Sequence, residues 1–324
     1  MRKRNRAQAE FSPPWALLAV LAALVCVAYV RLRFADVPLE RDEGEYAYAG
    51  QLILKGIPPY ELAYNMKFPG TYYAYAVILA LFGQTPWGIH VGLLFVNAAT
   101  VFFVFAIGRR LLGEYAGAVA ATSFAILSVD QWVLGVFAHA THFVALAAMA
   151  GLLLLLRAID VKRASYFLWS GVLLGLAVLM KQHAIAYLPF AAALVFWSEH
   201  RSEGQVDRAS AKKIGALALG ALLPLVLVVL VLAAQGVVGR FWFWTFQYAW
   251  EYVSELPVAK ALPRLVTSFT VVSTHNVELW ALAGLGLLAL WIARWEPRVR
   301  VLVTGLLVAS FVAMCPGFYF REHY

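Results

Sequence analysis

The sequence has few charged residues, and this scarcity excludes a soluble protein. Only 14% of its 324 residues are Asp, Glu, Lys or Arg, and 63% are hydrophobic, whereas about a quarter of the residues in a typical soluble domain are charged. Apolar runs of about 18 residues or more recur along the chain, and each is long enough to cross a bilayer as a helix. The sequence therefore predicts an all-α integral membrane protein.

Cysteine is also scarce. Cys26 and Cys315 are the only two cysteines, and no CxxC pair or zinc-like grouping of His and Cys occurs, so neither a disulfide framework nor a structural zinc is indicated. The formal net charge is +8, but the basic residues cluster between apolar runs, as they do in the cytoplasmic loops of membrane proteins. Nucleic acid is therefore not a predicted partner.

Hydropathy and charged flanks predict about nine transmembrane helices in one domain, 1–324. They lie at 14–31, 87–107, 116–134, 139–157, 166–181, 183–198, 214–235, 276–293 and 300–316. With a cytoplasmic N-terminus, all the basic clusters fall on the cytoplasmic side. The first external loop is then 32–86, with short amphipathic helices. The apolar segment 71–82 is short for a span, so we expect a re-entrant or interfacial helix there; the alternative is a tilted true span.

An acidic turn follows the first predicted span. Asp42, with Glu45 three residues later, fits the capping box of a short helix that ends at Gly56. Asp42 could therefore simply cap this helix. The alternative is a catalytic base, because three carboxyls crowd into this turn (Glu43 is the third), and repulsion with partial burial raises the pKa of at least one. The two roles are compatible. Tyr46 and Glu45 are candidate substrate contacts.

Lysines and histidines elsewhere on the predicted external face have two interpretations each. Lys67 and Lys181 could each contact a substrate phosphate or reach the lipid headgroups as an anchor. His183 follows Lys181 in a tight turn. His139 and His142 share a helix face and could bind substrate hydroxyls or form a buried pair. Two histidines without a third ligand are a weak pattern for a metal, so none is predicted and a divalent ion is not indicated.

Two aromatic segments complete the candidates. Residues 241–253 alternate aromatic and other side chains beyond a predicted span, which is typical of an interfacial belt and also fits a platform for a lipid tail or sugar ring. Near the end of the chain, Arg321 could bind a phosphate, with His323 beside it, or act as a membrane-edge anchor. The chain stops soon after these residues, so we expect a C-terminal truncation.

The acidic pair Asp42-Glu43, the helix ending at Gly56, the Lys67-x-Pro-x-x-Tyr-Tyr motif and the multi-span body resemble the GT-C membrane glycosyltransferases. They are most similar to bacterial members of the dolichyl-phosphate-mannose protein mannosyltransferase family, which include aminoarabinose lipid A transferases and the lipopolysaccharide-core transferases of rhizobia. The resemblance implies that Asp42 and Glu43 are catalytic. It implies that Lys67, Lys181 and Arg321 lie near the donor phosphate.

This resemblance implies an enzyme of the cell envelope. It would transfer a hexose or pentose from a polyprenyl-phosphate donor to a hydroxyl of a lipid, glycan or protein, with inversion, on the external face of a bacterial inner membrane. No cofactor is expected. The alternatives are a polytopic transporter, for which no internal repeat is apparent, and an inactive fragment of a glycosyltransferase.

Overall fold

The protein is described here by a computed structural model that covers residues 14–203, 208–254 and 257–315. The described residues form fourteen α-helices and no strand. In chain order the α-helices are α1 (Pro14–Arg33), α2 (Arg41–Leu54), α3 (Gly70–Phe82), α4 (Pro86–Leu112), α5 (Glu114–Leu127), α6 (Ala140–Val161), α7 (Ala164–Met180), α8 (Tyr187–Glu203), α9 (Arg208–Ala234), α10 (Val238–Trp242), α11 (Ala249–Ser254), α12 (Ala261–Thr274), α13 (Val277–Ile292) and α14 (Pro297–Met314).

Local sequence signals determine where these helices begin and end. For α4, the Thr85 side chain accepts a hydrogen bond from the backbone N–H of Gly88, and Pro86 occupies the first turn, where a missing N–H costs nothing. Gly113 ends the helix at φ 95°, a left-handed conformation that residues with a Cβ rarely adopt. The long apolar run between these two signals therefore forms one uninterrupted helix.

Within the described residues, five helices are long and apolar enough to cross a membrane: α1, α4, α6, α9 and α14. The pair α12 and α13, bent by 106°, adds a sixth if it forms one broken span. The protein is therefore a multi-pass membrane protein, as the sequence predicts. Each of the nine predicted spans overlaps a helix, but the count of nine is not confirmed, because α5, α7, α8 and α13 have only 14 to 17 residues.

The predicted short helix at 71–82 is α3, with 13 residues. Its first residue, Gly70, packs against the end of α7, where a Cβ built on Gly70 would lie 2.5 Å from the backbone oxygen of Leu179. Only glycine leaves room for this approach. Helix α3 therefore sits on the end of α7. Its interfacial or re-entrant placement stays a prediction.

Helices α4 and α6 run in the same direction between two ends of the bundle. At one end, Asp160 of α6 accepts hydrogen bonds from Arg110 of α4 and Arg298 of α14. At the other end, His90 of α4 and His139 before α6 lie beside α2. Twenty residues of helix separate His90 from Arg110, which is about 30 Å. We call the first the basic end (Arg109, Arg110, Arg157, Asp160 and Arg298) and the second the site end.

Small residues let α7 and α9 pack closely. Gly171 of α7 lies against the backbone of Leu217, and Gly220 of α9 lies against the backbone of Leu168. Neither position has space for a Cβ. Close backbone contact through small residues is a common way for membrane helices to associate, since apolar side chains gain little from leaving lipid. This contact fixes the end of α7, which carries Lys181.

Buried tyrosines fix α2 and α3 at the site end. Tyr46, Tyr60, Tyr72 and Tyr75 are each at most 2% exposed and belong to one apolar core. Their hydroxyls need partners when buried, and Tyr75 donates to the backbone oxygen of Ala138 at 2.7 Å. The tyrosine core therefore ties the two short helices to the loop before α6.

Candidate active site

The N-cap of helix α2 lies two residues earlier than the predicted capping box implies. The N-cap is Glu40, whose carboxylate accepts a hydrogen bond from the backbone N–H of Asp42 at 2.7 Å, while Glu43 accepts from the backbone N–H of Glu40 at 3.0 Å. The capping box is therefore Glu40 with Glu43, and the predicted box of Asp42 with Glu45 is wrong. Asp42 lies in the first turn, so its carboxylate does not act as the cap.

Glu43 is fully buried, and its carboxylate joins three segments. It accepts from the backbone N–H of Ala138, and it lies 3.1 Å from Nε2 of His90. The other ring nitrogen of His90 lies 2.8 Å from the backbone oxygen of Ala35. Both ring nitrogens face oxygen acceptors, and this arrangement is satisfied when each nitrogen carries a proton. Glu43 thus links α2 to α4 and to the loop before α6.

Lys67 is the cation nearest to Asp42. Its Nζ lies 3.0 Å from Oδ2 of Asp42, 3.7 Å from Oε2 of Glu45 and 4.6 Å from the ring centre of Tyr46. The Lys67 side chain is only 12% exposed. A nearly buried ammonium with two carboxylates and an aromatic face is held much more firmly than a headgroup anchor would be.

The pKa values of the two carboxyls move in opposite directions. Burial favours a higher pKa for Asp42, but the charge of Lys67 and its hydrogen bond outweigh burial. The pKa of Asp42 is therefore lowered to about 2. Burial raises the pKa of Glu45, and Lys67 only partly opposes it. The expected upward shift in the crowded turn therefore occurs at Glu45, while Asp42 is a firmly ionised carboxylate.

Polar neighbours hold Glu45 in place. The Tyr72 hydroxyl donates to its Oε1 at 3.1 Å, and the Asn65 amide donates to its Oε2. Glu45 is 26% exposed, so one side of this carboxyl faces open space beside Lys67. A substrate hydroxyl could reach it there.

The loop that carries Lys67 is clamped to the segment that carries Lys181. Gln182 donates to the backbone oxygen of Met66 at 2.6 Å, and Thr71 donates to the backbone oxygen of Met180 at 2.8 Å. Lys181 is 6% exposed. Burial, and then the charge of Lys67, lower the pKa of Lys181 to about 7, while Asp42 opposes them. Two lysines therefore interact with Asp42 although 114 positions separate them in the chain.

Three of the candidate histidines lie in the described part of the chain. His139 precedes α6, and its ring lies beside Asp42; burial lowers its pKa. His142, one turn into α6, hydrogen-bonds to the backbone of Gly135 and Phe137. Burial, and then the charge of Lys181, lower the pKa of His183 to about 3, so His183 is neutral.

One group of side chains has the donor set of a metal site. Glu40, Asp42 and His139 each offer a ligand atom, and these atoms lie within 4.8 Å of one another. Carboxylate and imidazole are common metal ligands, but Asp42 already has Lys67 as a cationic partner at 3.0 Å. The expectation of no cofactor stays a prediction.

The aromatic segment 241–253 packs on the loop that carries Lys67. Phe241 is buried against Tyr60 and Phe68, and Trp244 stacks on Tyr64 with ring centres 4.7 Å apart. Some of its rings, such as that of Trp242, remain more than half exposed. The segment therefore supports the site loop on one face, and its other face is available to lipid or substrate.

Asp42, Glu43, Glu45, Tyr46, Lys67, His139, Lys181 and His183 all lie at the site end. Arg321 and His323 lie outside the described residues. The sequence interpretation missed His90 and Thr71. His90 is a lone histidine in an apolar run, and only a buried carboxylate 47 positions away gives it a role, so no local pattern identifies it.

Comparison with known families gives the class of protein, a membrane glycosyltransferase of the GT-C type. The profile of the dolichyl-phosphate-mannose-protein mannosyltransferase family matches residues 66–234, which are just over half of the chain. The chain belongs to this family, as its resemblance predicts. The matched range includes Lys67 and Lys181 and begins after Asp42. Searches of curated proteins and of solved structures gave no match.

Proposed function

We propose that the protein transfers a sugar from a polyprenyl-phosphate donor to an acceptor hydroxyl, with Asp42 as the general base. The observation that carries this proposal is the meeting of Asp42, Lys67 and Lys181 at one end of the bundle. Their arrangement offers one proton acceptor beside two cations. A sugar phosphodiester needs these two functions, because its phosphate leaves as an anion while the acceptor loses a proton.

In the proposed reaction, Asp42 removes the proton from the acceptor hydroxyl as its oxygen attacks the anomeric carbon. The bond between that carbon and the phosphate oxygen breaks, and its electron pair leaves with the polyprenyl phosphate. Lys67 and Lys181 stabilise the charge that develops there. One displacement from the opposite face inverts the anomeric centre. Arg321, which lies outside the described residues, is proposed as a third phosphate contact.

Lys67 has a double role in this proposal. In the free protein it neutralises Asp42, which makes Asp42 a weak base because its pKa is about 2. A bound donor phosphate competes for the same ammonium. When Lys67 turns to the phosphate, its opposition to burial is lost, and burial, which is the largest single influence on Asp42, raises its pKa. Donor binding would thus strengthen the base next to the bond that must break.

The remaining residues have supporting roles in the proposal. Glu43 and His90 hold the first turn of α2, because both are buried and bound to other segments. We therefore propose that Glu43 positions the turn that carries Asp42 and takes no direct part in the reaction. Glu45, with His139, His183 and His323, would contact the sugar or the acceptor. Tyr46 is buried beneath the Lys67 ammonium and His142 is bound to the backbone, so these two would position the contacts.

We further propose that the site faces the outside of a bacterial inner membrane and that the N-terminus is cytoplasmic. The basic clusters support this orientation, because positively charged flanks remain on the cytoplasmic side. No cofactor is proposed. The acceptor is a hydroxyl of a lipid, glycan or protein.

The test is transfer of labelled sugar from a panel of polyprenyl-phosphate donors by the purified protein in lipid. Asp42→Asn keeps an oxygen acceptor for Lys67 but removes the base, so the rate should fall by about two to four orders of magnitude. The protein should remain folded and lose at most about 2 kcal/mol of stability, as the pKa of Asp42 implies. Asp36→Asn is the matched control, since Asp36 is exposed in the same segment. Equal turnover of Asp42→Asn and wild type would refute the assignment.

A further inference from the structure

A groove at the basic end lies between three helices, far from the candidate active site. It has a volume of about 710 Å³ and is lined by Phe103 and Ala106 of α4, Ala150, Leu153 and Leu154 of α6, and Leu173 of α7, with Arg109, Arg110 and Arg157 at one end. Volumes of this size are typical of ligand sites. Its walls are apolar, and all its charge is positive.

The arginines at this groove carry more charge than the neighbouring carboxylate can neutralise. Asp160 is shared by Arg110 and by Arg298. Within the part of the chain that the structure describes, Arg109 and Arg157 form no ion pair, and both are exposed. The guanidinium of Arg109 lies over the ring of Phe105, 5.5 Å from its centre. Two guanidinium groups are therefore available for an anion.

The apolar wall and the arginines are arranged along the helix axes. Ala150 is seven residues from Arg157 on α6, and Phe103 is six from Arg109 on α4, so the wall extends about 10 Å from the charges. Since α4 and α6 are candidate spans, this direction leads into the hydrocarbon core.

We propose that this groove binds one anionic phospholipid. Its phosphate would lie between Arg109 and Arg157, and an acyl chain would lie along Phe103, Ala150 and Leu154. Basic pockets between membrane helices on the cytoplasmic side bind anionic headgroups by this combination of charge and apolar wall. A zwitterionic lipid can pack its acyl chain along the same apolar wall, but its headgroup is attracted less strongly by the arginines. The groove should therefore prefer an anionic lipid.

The experiment compares phosphatidylglycerol with phosphatidylcholine of the same acyl chains, bound to the purified full chain and counted by native mass spectrometry. The wild type should retain one phosphatidylglycerol. Each arginine near a headgroup contributes about fivefold to binding, so Arg109→Gln with Arg157→Gln should lower retention by about 25-fold. The matched control is Arg163→Gln with Lys212→Gln, which removes equal charge from exposed positions outside the groove.

A second variant separates the groove from general charge attraction. Ala150→Phe fills the groove and keeps every charge, so it should also lose the bound lipid. Equal retention of both lipids by the wild type would overturn the proposal, as would an unchanged preference in the double arginine variant or in Ala150→Phe. Sugar transfer plays no part in this measurement, so its outcome is independent of the proposed reaction.

Discussion

At the scale of single residues, Lys67 decides how strong a base Asp42 is. The ammonium lies 3.0 Å from the carboxylate and lowers its pKa to about 2 in the free protein. A base works only while ionised, so its activity is lost as pH falls through its pKa. The pH profile of kcat/KM reports the pKa of Asp42 in the free enzyme, and the pH profile of single turnover reports its pKa in the donor complex. We expect kcat/KM to stay flat across the measurable acid range, while the single-turnover rate falls at a higher pH.

The variant Lys67→Met provides the control for this prediction. Without the ammonium, burial is opposed only by the smaller effects of His139 and Arg41, so the pKa of Asp42 rises in the free protein. The acid limb of kcat/KM should therefore move to higher pH. Identical acid limbs in both profiles of the wild type would contradict an exchange of Lys67 between Asp42 and the donor phosphate.

Lys181 predicts a second pH effect, on donor binding. Its pKa is lowered to about 7, so it is charged below pH 7 and loses its charge as pH rises. The donor is a phosphodiester and keeps its charge through this range, and His183 and His139 have lowered pKa values. Donor affinity, measured by titration at pH 6 and pH 8.5, should therefore weaken by about tenfold. Asp42, Glu45 and Lys67 also face this site, and all three are kept in the control variant.

That control is Lys181→Met, which keeps the volume of the lysine stem. It should bind the donor about tenfold more weakly at pH 6, because a charge-assisted contact contributes about 1.5 to 3 kcal/mol, and its affinity should not change with pH. An equal pH dependence in wild type and Lys181→Met would assign the effect to another group.

The difference between the predicted and the observed cap illustrates what a local pattern can and cannot identify. Glu40, Asp42, Glu43 and Glu45 provide two overlapping pairs at capping-box spacing. The acceptors of the second pair are taken by Lys67 and Tyr72, which come from residues far along the chain. A choice between overlapping caps depends on these distant partners, so the sequence predicts the helix and not its first residue.

At the scale of elements, the Glu43–His90 pair fastens α2 to α4. Removing one partner of a buried ion pair costs about 3 to 5 kcal/mol, so Glu43→Ala should destabilise the protein by about this amount. Glu61→Ala is the matched control, because Glu61 and Arg240 form a partly exposed pair that contributes about 0 to 1 kcal/mol. Thermal unfolding of both variants in one detergent provides the comparison. Equal unfolding temperatures of the two variants would show that the Glu43–His90 pair does not stabilise the contact between α2 and α4.

The variant Glu43→Gln tests positioning separately from stability. It keeps the shape of the side chain, so donor affinity should remain close to that of the wild type while the transfer rate falls, since Asp42 is held by the turn that Glu43 fixes. A fall in donor affinity without a fall in rate would instead place Glu43 at the donor.

Elements were more predictable than their contacts. Every predicted span overlaps a helix, because apolar runs, glycines such as Gly113 and basic flanks are local features. The end of α5 was less predictable, because the predicted span 116–134 continues past Leu127, where α5 ends. The length of a short apolar helix depends also on its neighbours, and Gly117 of α5 lies against the backbone of Arg109. The clamp between Gln182 and Met66 spans 116 positions and has no local signal.

At the scale of the whole molecule, the structure places the candidate active site and the basic end on opposite ends of α4 and α6. A cysteine at Lys55, in the segment after α2, and one at Arg163, before α7, should therefore lie on opposite sides of the membrane. The background should carry Cys26→Ala and Cys315→Ala, since these are the native cysteines. We expect an impermeant thiol reagent to label the cysteine at position 55 from outside, and the cysteine at 163 only after permeabilisation, because basic flanks stay inside. Labelling of both in permeabilised membranes is the control. If both react from one side, the two ends are not separated by the bilayer; if the sides are reversed, the carboxylate and its lysines face the cytoplasm, and an external reaction is excluded.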